Sequence, residues 1–282
     1  MTTTLLRTLV ADHTRGWPQG VGSTIMTTPH RDLKVQDYVD AGGLKTYYEA
    51  EGAGEPLVLL HGGFCPIETF GGLTPMLAEH YRVYQPERRA HGRTADVEGP
   101  LTYELMAQDT IAFLDAVDLP SAHLVGWSDG AVVGLLVALR RPDLVRRLVL
   151  IGQHINPEGL LPEVIEMMKL DKMPDMLPPM LKDLYAAVSP DGPEHWDVVL
   201  DKMWQMIKTE PNIAFAELEQ VSAPTLVIVA DHDFPTVEHA QAMQKSLPDA
   251  RLEVVPDATH GLPMEKPDVV ARLVLDFLTP SH

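Results

Sequence analysis

The sequence predicts an α/β fold: a mostly parallel central sheet with helices on both faces and a helical lid inserted after the sixth strand. Three observations predict it. Short, continuous apolar runs recur along the chain, as strands buried on both faces require. Helical stretches separate them, and this alternation is the signature of a parallel sheet built from crossover units. One long segment, 153–220, breaks the rhythm: it is helical in pattern, rich in Pro and Met, and has strands on either side of it.

Residues 1–34 show no sustained period and read as a loose N-terminal arm. Met26 begins MTTPHRDLKVQDYVDAGG, a natural start by itself, so the arm is either an extension swapped onto a second subunit of a homo-oligomer or the product of an upstream start codon. Asp37 to Val39 and Leu44 to Ala50 then read as an antiparallel pair around the Ala41-Gly42-Gly43 turn. The buried-strand runs follow: Pro56 to Leu60, Arg82 to Tyr84, Ala122 to Gly126, Leu148 to Ile151, Thr225 to Ala230 and Leu252 to Val255. Helices are expected over Glu68 to His80, Thr102 to Val117, Asp129 to Arg140, Val237 to Ser246 and Pro267 to Leu278. The stretch from Asp129 is apolar nearly all round, which places it in the interior. The expected organisation is a core of 35–152 and 221–282 carrying the 153–220 lid.

Bulk composition narrows the functions. At 282 residues, 45% hydrophobic and 22% charged, the chain can bury a substantial core. Its net charge of −18 excludes a nucleic-acid partner, which needs clustered Lys and Arg, and disfavours anionic membranes. The single cysteine, Cys65, rules out an intramolecular disulfide and fits a reducing, cytoplasmic setting. No apolar run approaches the length of a membrane span, and Leu5-Leu6 is interrupted by Arg7.

The strongest chemical signal is Gly126-Trp127-Ser128-Asp129-Gly130, set where an apolar strand ends and an apolar helix begins. That context gives a Gly-x-Ser-x-Gly match its meaning as a nucleophile elbow. It places Ser128 at a helix N-terminus, where backbone N–H groups favour an oxyanion. A helix cap would be the plain structural reading; the strand-turn-helix setting favours the nucleophile. Trp127, beside it, is a candidate substrate contact.

A serine hydroxyl needs a base within hydrogen-bond reach. His260 directly follows the last expected strand and so shares a rim with Ser128. The imidazole in turn needs a carboxylate. Asp231-His232-Asp233 offers two after Thr225 to Ala230. Asp233 is preferred, Asp231 is assigned to holding the loop, and Asp257 is a weaker third candidate. The preceding strand offers no acid before Glu158. His61-Gly62-Gly63-Phe64 ends the first parallel strand, and an N–H of Gly63 or Phe64 with that of Asp129 would complete an oxyanion hole.

In the order Ser128, Asp233, His260, with His61-Gly62-Gly63 upstream, the chain resembles the α/β-hydrolase fold superfamily over residues 35–282. Pro86 to Thr94 (PERRAHGRT) is similar to the D-x-R-G-x-G-x-S/T loop of its esterase branch, departing from it with Glu87 for Asp and Ala90 for Gly. Both departures concern the loop's path. Dehalogenases and many epoxide hydrolases of this fold carry an aspartate at the nucleophile position, so Ser128 disfavours those reactions. The resemblance implies a serine esterase or lactonase; no cofactor motif is present, and no His/Cys spacing suggests a metal. The same triad would serve a C–C bond hydrolase or a perhydrolase, and a catalytically silent receptor is the reading from another class.

Two features bear on substrate. Asp129 could meet a substrate ammonium, although an anion at a helix N-terminus is favourable by itself, by about 0.3–1 kcal/mol, and that reading is preferred. Met167, Met168, Met173, Met176, Met180, Met203 and Met206 suit a hydrophobic substrate or simple lid packing equally. Of these, Met167 and Met203 are the expected contacts. Cys65 reads as a small buried filler.

Overall fold

The computed structural model describes residues 34–279. The arm expected over 1–34 therefore lies, except for Lys34, outside the described residues.

Eight strands form one sheet: β1 (Val35–Ala41), β2 (Leu44–Glu51), β3 (Pro56–Leu60), β4 (Arg82–Pro86), β5 (Ala122–Trp127), β6 (Val145–Ile151), β7 (Thr225–His232) and β8 (Ala250–Thr259). Their spatial order is β1-β2-β4-β3-β5-β6-β7-β8. β2 pairs antiparallel with both neighbours, and the pairs from β4 through to β8 are parallel. The apolar runs occupy the middle: every residue of β5 is buried, as are Leu57 to Leu60 of β3. Each fully buried Leu or Val of this kind contributes about 1.5–3 kcal/mol of transfer free energy. β1 and β8 close the edges and are largely exposed, and β8 carries Arg251, Glu253 and Asp257 there. Charge on an edge strand discourages pairing with another chain.

The crossover helices are α1 (Thr74–Ala78), α2 (Tyr103–Ala116), α3 (Asp129–Arg140) and α7 (Val237–Ser246), and α9 (Pro267–Leu278) follows β8. In α3 every residue from Asp129 to Ala138 is buried, so it is sandwiched as its all-round apolar sequence requires. Thr102 and Thr236 cap α2 and α7, each accepting a backbone N–H three residues on.

The helix expected over Glu68 to His80 is broken in two. A 3-10 turn spans Ile67–Phe70, and α1 begins only at Thr74. Gly71 and Gly72 disfavour continuous helix, while Pro75 is tolerated only in a first turn, so the run restarts there. A short helix unforeseen from the sequence, α8 (Leu262–Glu265), follows His260 directly.

Between β6 and β7 lie α4 (Pro162–Met168), α5 (Pro179–Val188) and α6 (Trp196–Thr209). The prolines opening α4 and α5 occupy first-turn positions, where a missing N–H costs nothing. This insertion is fastened to the core at several points. Asp96, in the loop after β4, accepts from Lys202 Nζ at 2.7 Å and pairs with His195 Nε2 at 2.8 Å. Glu210 accepts the Tyr103 N–H at 2.9 Å. On the other side, the Leu161 N–H donates to the Phe234 carbonyl at 3.0 Å. The result is a helical layer over the carboxyl ends of the strands.

Candidate active site

β5 ends in a turn that only small flanking residues allow. A Cβ on Gly126 would lie 2.3 Å from the Gly130 carbonyl oxygen, and one on Gly130 would lie 2.1 Å from that of Leu60. Between them Ser128 adopts φ 55°, ψ −121°, a conformation that costs a non-glycine residue of order 1–3 kcal/mol. Its N–H donates to the Ile151 carbonyl at 2.8 Å, and its own carbonyl accepts from Ala131 N–H, so neighbouring strand and helix hold the strain.

His260 immediately follows β8. Its Nε2 lies 2.9 Å from Ser128 Oγ, and its Nδ1 lies 2.7 Å from Asp233 Oδ1. Asp233 is 6% exposed, and its Oδ1 also accepts the Phe234 N–H at 2.8 Å. With Nδ1–H donating to the carboxylate, Nε2 is left to accept the serine proton. Three rings or backbones crowd this imidazole. The Phe234 ring centroid stands 3.9 Å away, Trp127 tilts beside it at 5.8 Å, and a Cβ on Gly152 (φ 59°) would lie 3.0 Å from Asp233 Oδ2 and 3.3 Å from His260 Nδ1. Gly152 therefore leaves room for the histidine–carboxylate pair. Asp231 is used elsewhere: it accepts the N–H groups of Asp257 and Ala258 at 3.0 and 3.2 Å. Asp257 is exposed with φ 49°.

The His61–Phe64 turn is held from behind by groups the sequence reasoning did not single out. Buried Arg88 donates to the carbonyls of His61 and Gly62, and the Arg88 N–H donates to His61 Nε2 at 3.2 Å. His91 Nδ1–H donates to the Arg89 carbonyl at 2.9 Å, and its Nε2 accepts the Phe64 N–H at 3.0 Å. Burial, with Arg88 nearby, pushes the His91 pKa down to about 3, which keeps Nε2 an acceptor. This corrects one expectation: the Phe64 N–H is spent on His91, while Phe64 itself sits at φ 61°. Among the described residues the Gly63 and Asp129 N–H groups hydrogen-bond to no protein acceptor. The only legible hint was the histidine within PERRAHGRT. In that loop Ala90 adopts φ 63°, the left-handed path a glycine would take, and Glu87 pairs with Arg93.

Asp129 is buried. Its Oδ1 accepts from Tyr103 Oη–H at 2.8 Å, and its Oδ2 lies against Gly63, where an added Cβ would be 2.4 Å away. Desolvation raises its pKa, with Arg88 opposing. Cys65 is buried and its thiol is pushed up to about 12 by desolvation, so it is inert.

These groups open on a cavity of ≈ 280 Å³ between sheet and insertion. Trp127, Met167, Met168, Met173, Met176 and Met180 are among its walls, and among the described residues no lysine or arginine lines it. Met203 does not line it. It is fully buried behind the turn, where a Cβ on Gly63 would meet its Cε at 3.1 Å, so its part is packing rather than the substrate contact expected. Asp231, His232 and Asp257 cluster as exposed possible metal ligands, of which His232 alone lines the cavity, but Asp231 is already occupied by backbone N–H groups. No described helix is long and apolar enough to cross a membrane.

The arrangement can do nucleophilic acyl chemistry: a strained serine, an imidazole in hydrogen-bond reach of it, a fixed carboxylate, and two backbone N–H groups beside one apolar chamber. Known proteins agree with that class. Over 268 residues the chain is 27% identical to a 2-hydroxy-6-oxo-6-(2'-aminophenyl)hexa-2,4-dienoic acid hydrolase of Metapseudomonas resinovorans, covering 87% of this chain and 91% of the relative. It is 28% identical to an sn-1-specific diacylglycerol lipase of Mus musculus, covering 79% and 80%. Among solved structures, a serine hydrolase involved in carbazole degradation matches with a TM-score of 0.73 and 25% identity, over 87% of this chain and 99% of that one. A family model matches residues 57–273, a span that contains Ser128, Asp233 and His260, and the chain belongs to the alpha/beta hydrolase family.

Proposed function

We propose that this hydrolase cleaves neutral, apolar carboxylic esters or lactones through an acyl-serine intermediate. The observation that carries this reading is the Ser128–His260–Asp233 hydrogen-bonded chain opening on a methionine-walled cavity that no lysine or arginine among the described residues lines. Ser128 Oγ attacks the carbonyl carbon while its proton passes to His260 Nε2. The resulting oxyanion takes the N–H groups of Gly63 and Asp129. Collapse breaks the carbon–oxygen bond, and His260 returns the proton to the departing alkoxide. Water, deprotonated by the same nitrogen, then releases the acid and regenerates Ser128.

The lining favours this over hydrolysis of a dienoic acid, the substrate in the name of one relative. Such a carboxylate, ionised at neutral pH, would be desolvated against methionines with no lysine or arginine among the described lining residues to pair it and with the Asp129 carboxylate close by. Methionine walls adapt to varied apolar shapes, which suits a bulky acyl or alcohol group.

The test is a panel of uncharged aryl and alkyl esters and lactones of graded size, run beside a 2-hydroxy-6-oxo-hexa-2,4-dienoic acid, with Ser128→Ala as the blank. Turnover of the uncharged compounds and fluorophosphonate labelling at Ser128 are expected. Faster turnover of the dienoic acid than of any ester, or an unlabelled Ser128, would overturn the reading.

A further inference from the structure

At the end of β6, between the strand that leads to Ser128 and the strand that leads to Asp233, stand Gln153 and His154. Both line the cavity. Gln153 is 4% exposed, and among the described residues neither its Nε2 nor its Oε1 has a hydrogen-bond partner; His154 Nε2 is likewise buried and unpaired. Single buried side-chain atoms are unmet elsewhere too, His123 Nδ1 and Asn156 Oδ1 among them, but among the described residues Gln153 alone has both of its polar atoms buried and unmet. Gln85, equally buried, accepts from Thr74 Oγ1 at 2.7 Å, and His61, His91 and His239 each accept a backbone N–H. A buried amide with donor and acceptor both unmet is unfavourable, and native proteins tolerate it chiefly where the group has a function.

We propose that Gln153 and His154 form a neutral hydrogen-bonding subsite that reads an uncharged oxygen substituent, a hydroxyl or keto group, on the substrate whose ester Ser128 attacks. This rests on the hydrolase reading above and narrows it to oxygenated apolar esters and lactones.

The chemistry of the pair defines the ligand. A primary amide supplies two N–H donors and an acceptor, and a neutral imidazole supplies one of each. His154 is neutral, because burial beside His239 and His260 pushes its pKa down to about 3. A keto oxygen satisfies the amide donor, and a hydroxyl can also donate in return. Neither residue brings charge, so nothing here compensates a carboxylate. The position fits as well. Gly152, the residue before Gln153, is packed against His260 and Asp233, so the subsite begins one residue from the reacting centre. A site built to hydrogen-bond a substrate oxygen discriminates strongly against the analogue lacking it, since the protein groups are then left unpaired.

The experiment compares one apolar aryl ester with its series of monohydroxylated and keto isomers, measuring kcat/KM for wild type, Gln153→Leu and His154→Phe. Wild type is expected to prefer at least one oxygenated isomer by roughly 10²-fold or more over the parent ester. Gln153→Leu is expected to bring that ratio below about 5 while raising Tm by about 2–4 °C, because an unpaired amide gives way to an apolar side chain. A structural role would lower Tm and leave the ratio alone, and that result overturns the proposal. So does a wild type that hydrolyses the parent ester with no isomer preferred; the hydrolase reading then stands. Should Gln153→Leu fail to fold, the wild-type series and His154→Phe decide by the same ratio. If no ester is turned over and Ser128 takes no fluorophosphonate, the hydrolase reading falls and the subsite with it.

Discussion

The indole N–H of Trp127 donates to the backbone carbonyl of His260 at 2.9 Å, so the residue before the candidate nucleophile also fastens the loop carrying its base. The same ring fills the space over Gly62, where an added Cβ would approach it to 2.9 Å. One side chain thus spaces the serine turn, the histidine loop and the His61–Phe64 turn.

Trp127→Phe keeps most of the ring and deletes the donor. Removing one hydrogen bond of this kind costs about 0.5–1.5 kcal/mol, so kcat on a neutral ester is expected to fall about 3- to 10-fold, with KM little changed. Steady-state kinetics checks this, and a rise in KM alone would mean that the indole serves substrate rather than loop.

Asp233→Asn and Asp231→Asn form a second test. Loss of the carboxylate that fixes the His260 tautomer lowers kcat by about 10⁴-fold. Asp231 binds only loop N–H groups of Asp257 and Ala258, so its amide variant should stay within about 3-fold of wild type while losing a little thermal stability. Reversed magnitudes would reassign the acid.

His91→Ala frees the Phe64 N–H and loosens the turn that presents Gly63. Removing an oxyanion donor outright costs about 10²–10³ in kcat, and a displaced one should cost less, about 10- to 100-fold. Turnover of one ester with and without the substitution, read as kcat against KM, measures it. An unchanged kcat would show that the turn holds its shape without the imidazole.

Stability should fall in acid in a defined window. Burial drives the pKa of His91 and His154 down to about 3 and that of His239 to about 4, against an ordinary 6.5. The unfolded chain takes these protons below pH 6.5 and the folded chain does not. The contribution is therefore complete above about pH 6.5 and is lost as pH falls toward 4 and below, each histidine adding up to about 1.4 kcal/mol per pH unit. Urea unfolding at pH 7, 6, 5 and 4.5 follows the decline, and His154→Gln should reduce its slope by one proton's worth.

Much of this molecule could be read from residue order. Apolar runs such as Leu57 to Leu60 and Ala122 to Gly126 announce strands buried on both faces, because they are too short and too sharply bounded for a buried helix such as α3. The elbow was legible for a similar reason: Gly126 and Gly130 are demanded by backbone contacts under 2.5 Å that any Cβ would violate. Positions straight after strands were equally informative, since the carboxyl ends of parallel strands share one rim. That ground brought His260 and the pair Asp231 and Asp233 to the rim, and the structure pairs His260 with Asp233.

Tertiary structure decided the rest, because each remaining feature depends on where side chains meet across long separations. That the Phe64 N–H goes to His91, 27 residues on, follows from how the loop after β4 packs under the His61 turn, and no local pattern encodes it. Met167 reaches the cavity, whereas Met203 of α6 packs against Gly63 and its helix neighbours Trp204 and Ile207 line the cavity instead, although both are methionines of one insertion. Gln153 could only be noticed once its neighbours were known, for a buried amide is unremarkable until its hydrogen bonds are counted. A sequence specifies which groups are available and which elements they ride on. Three-dimensional packing determines which of those groups are spent on one another and which are left to face a substrate.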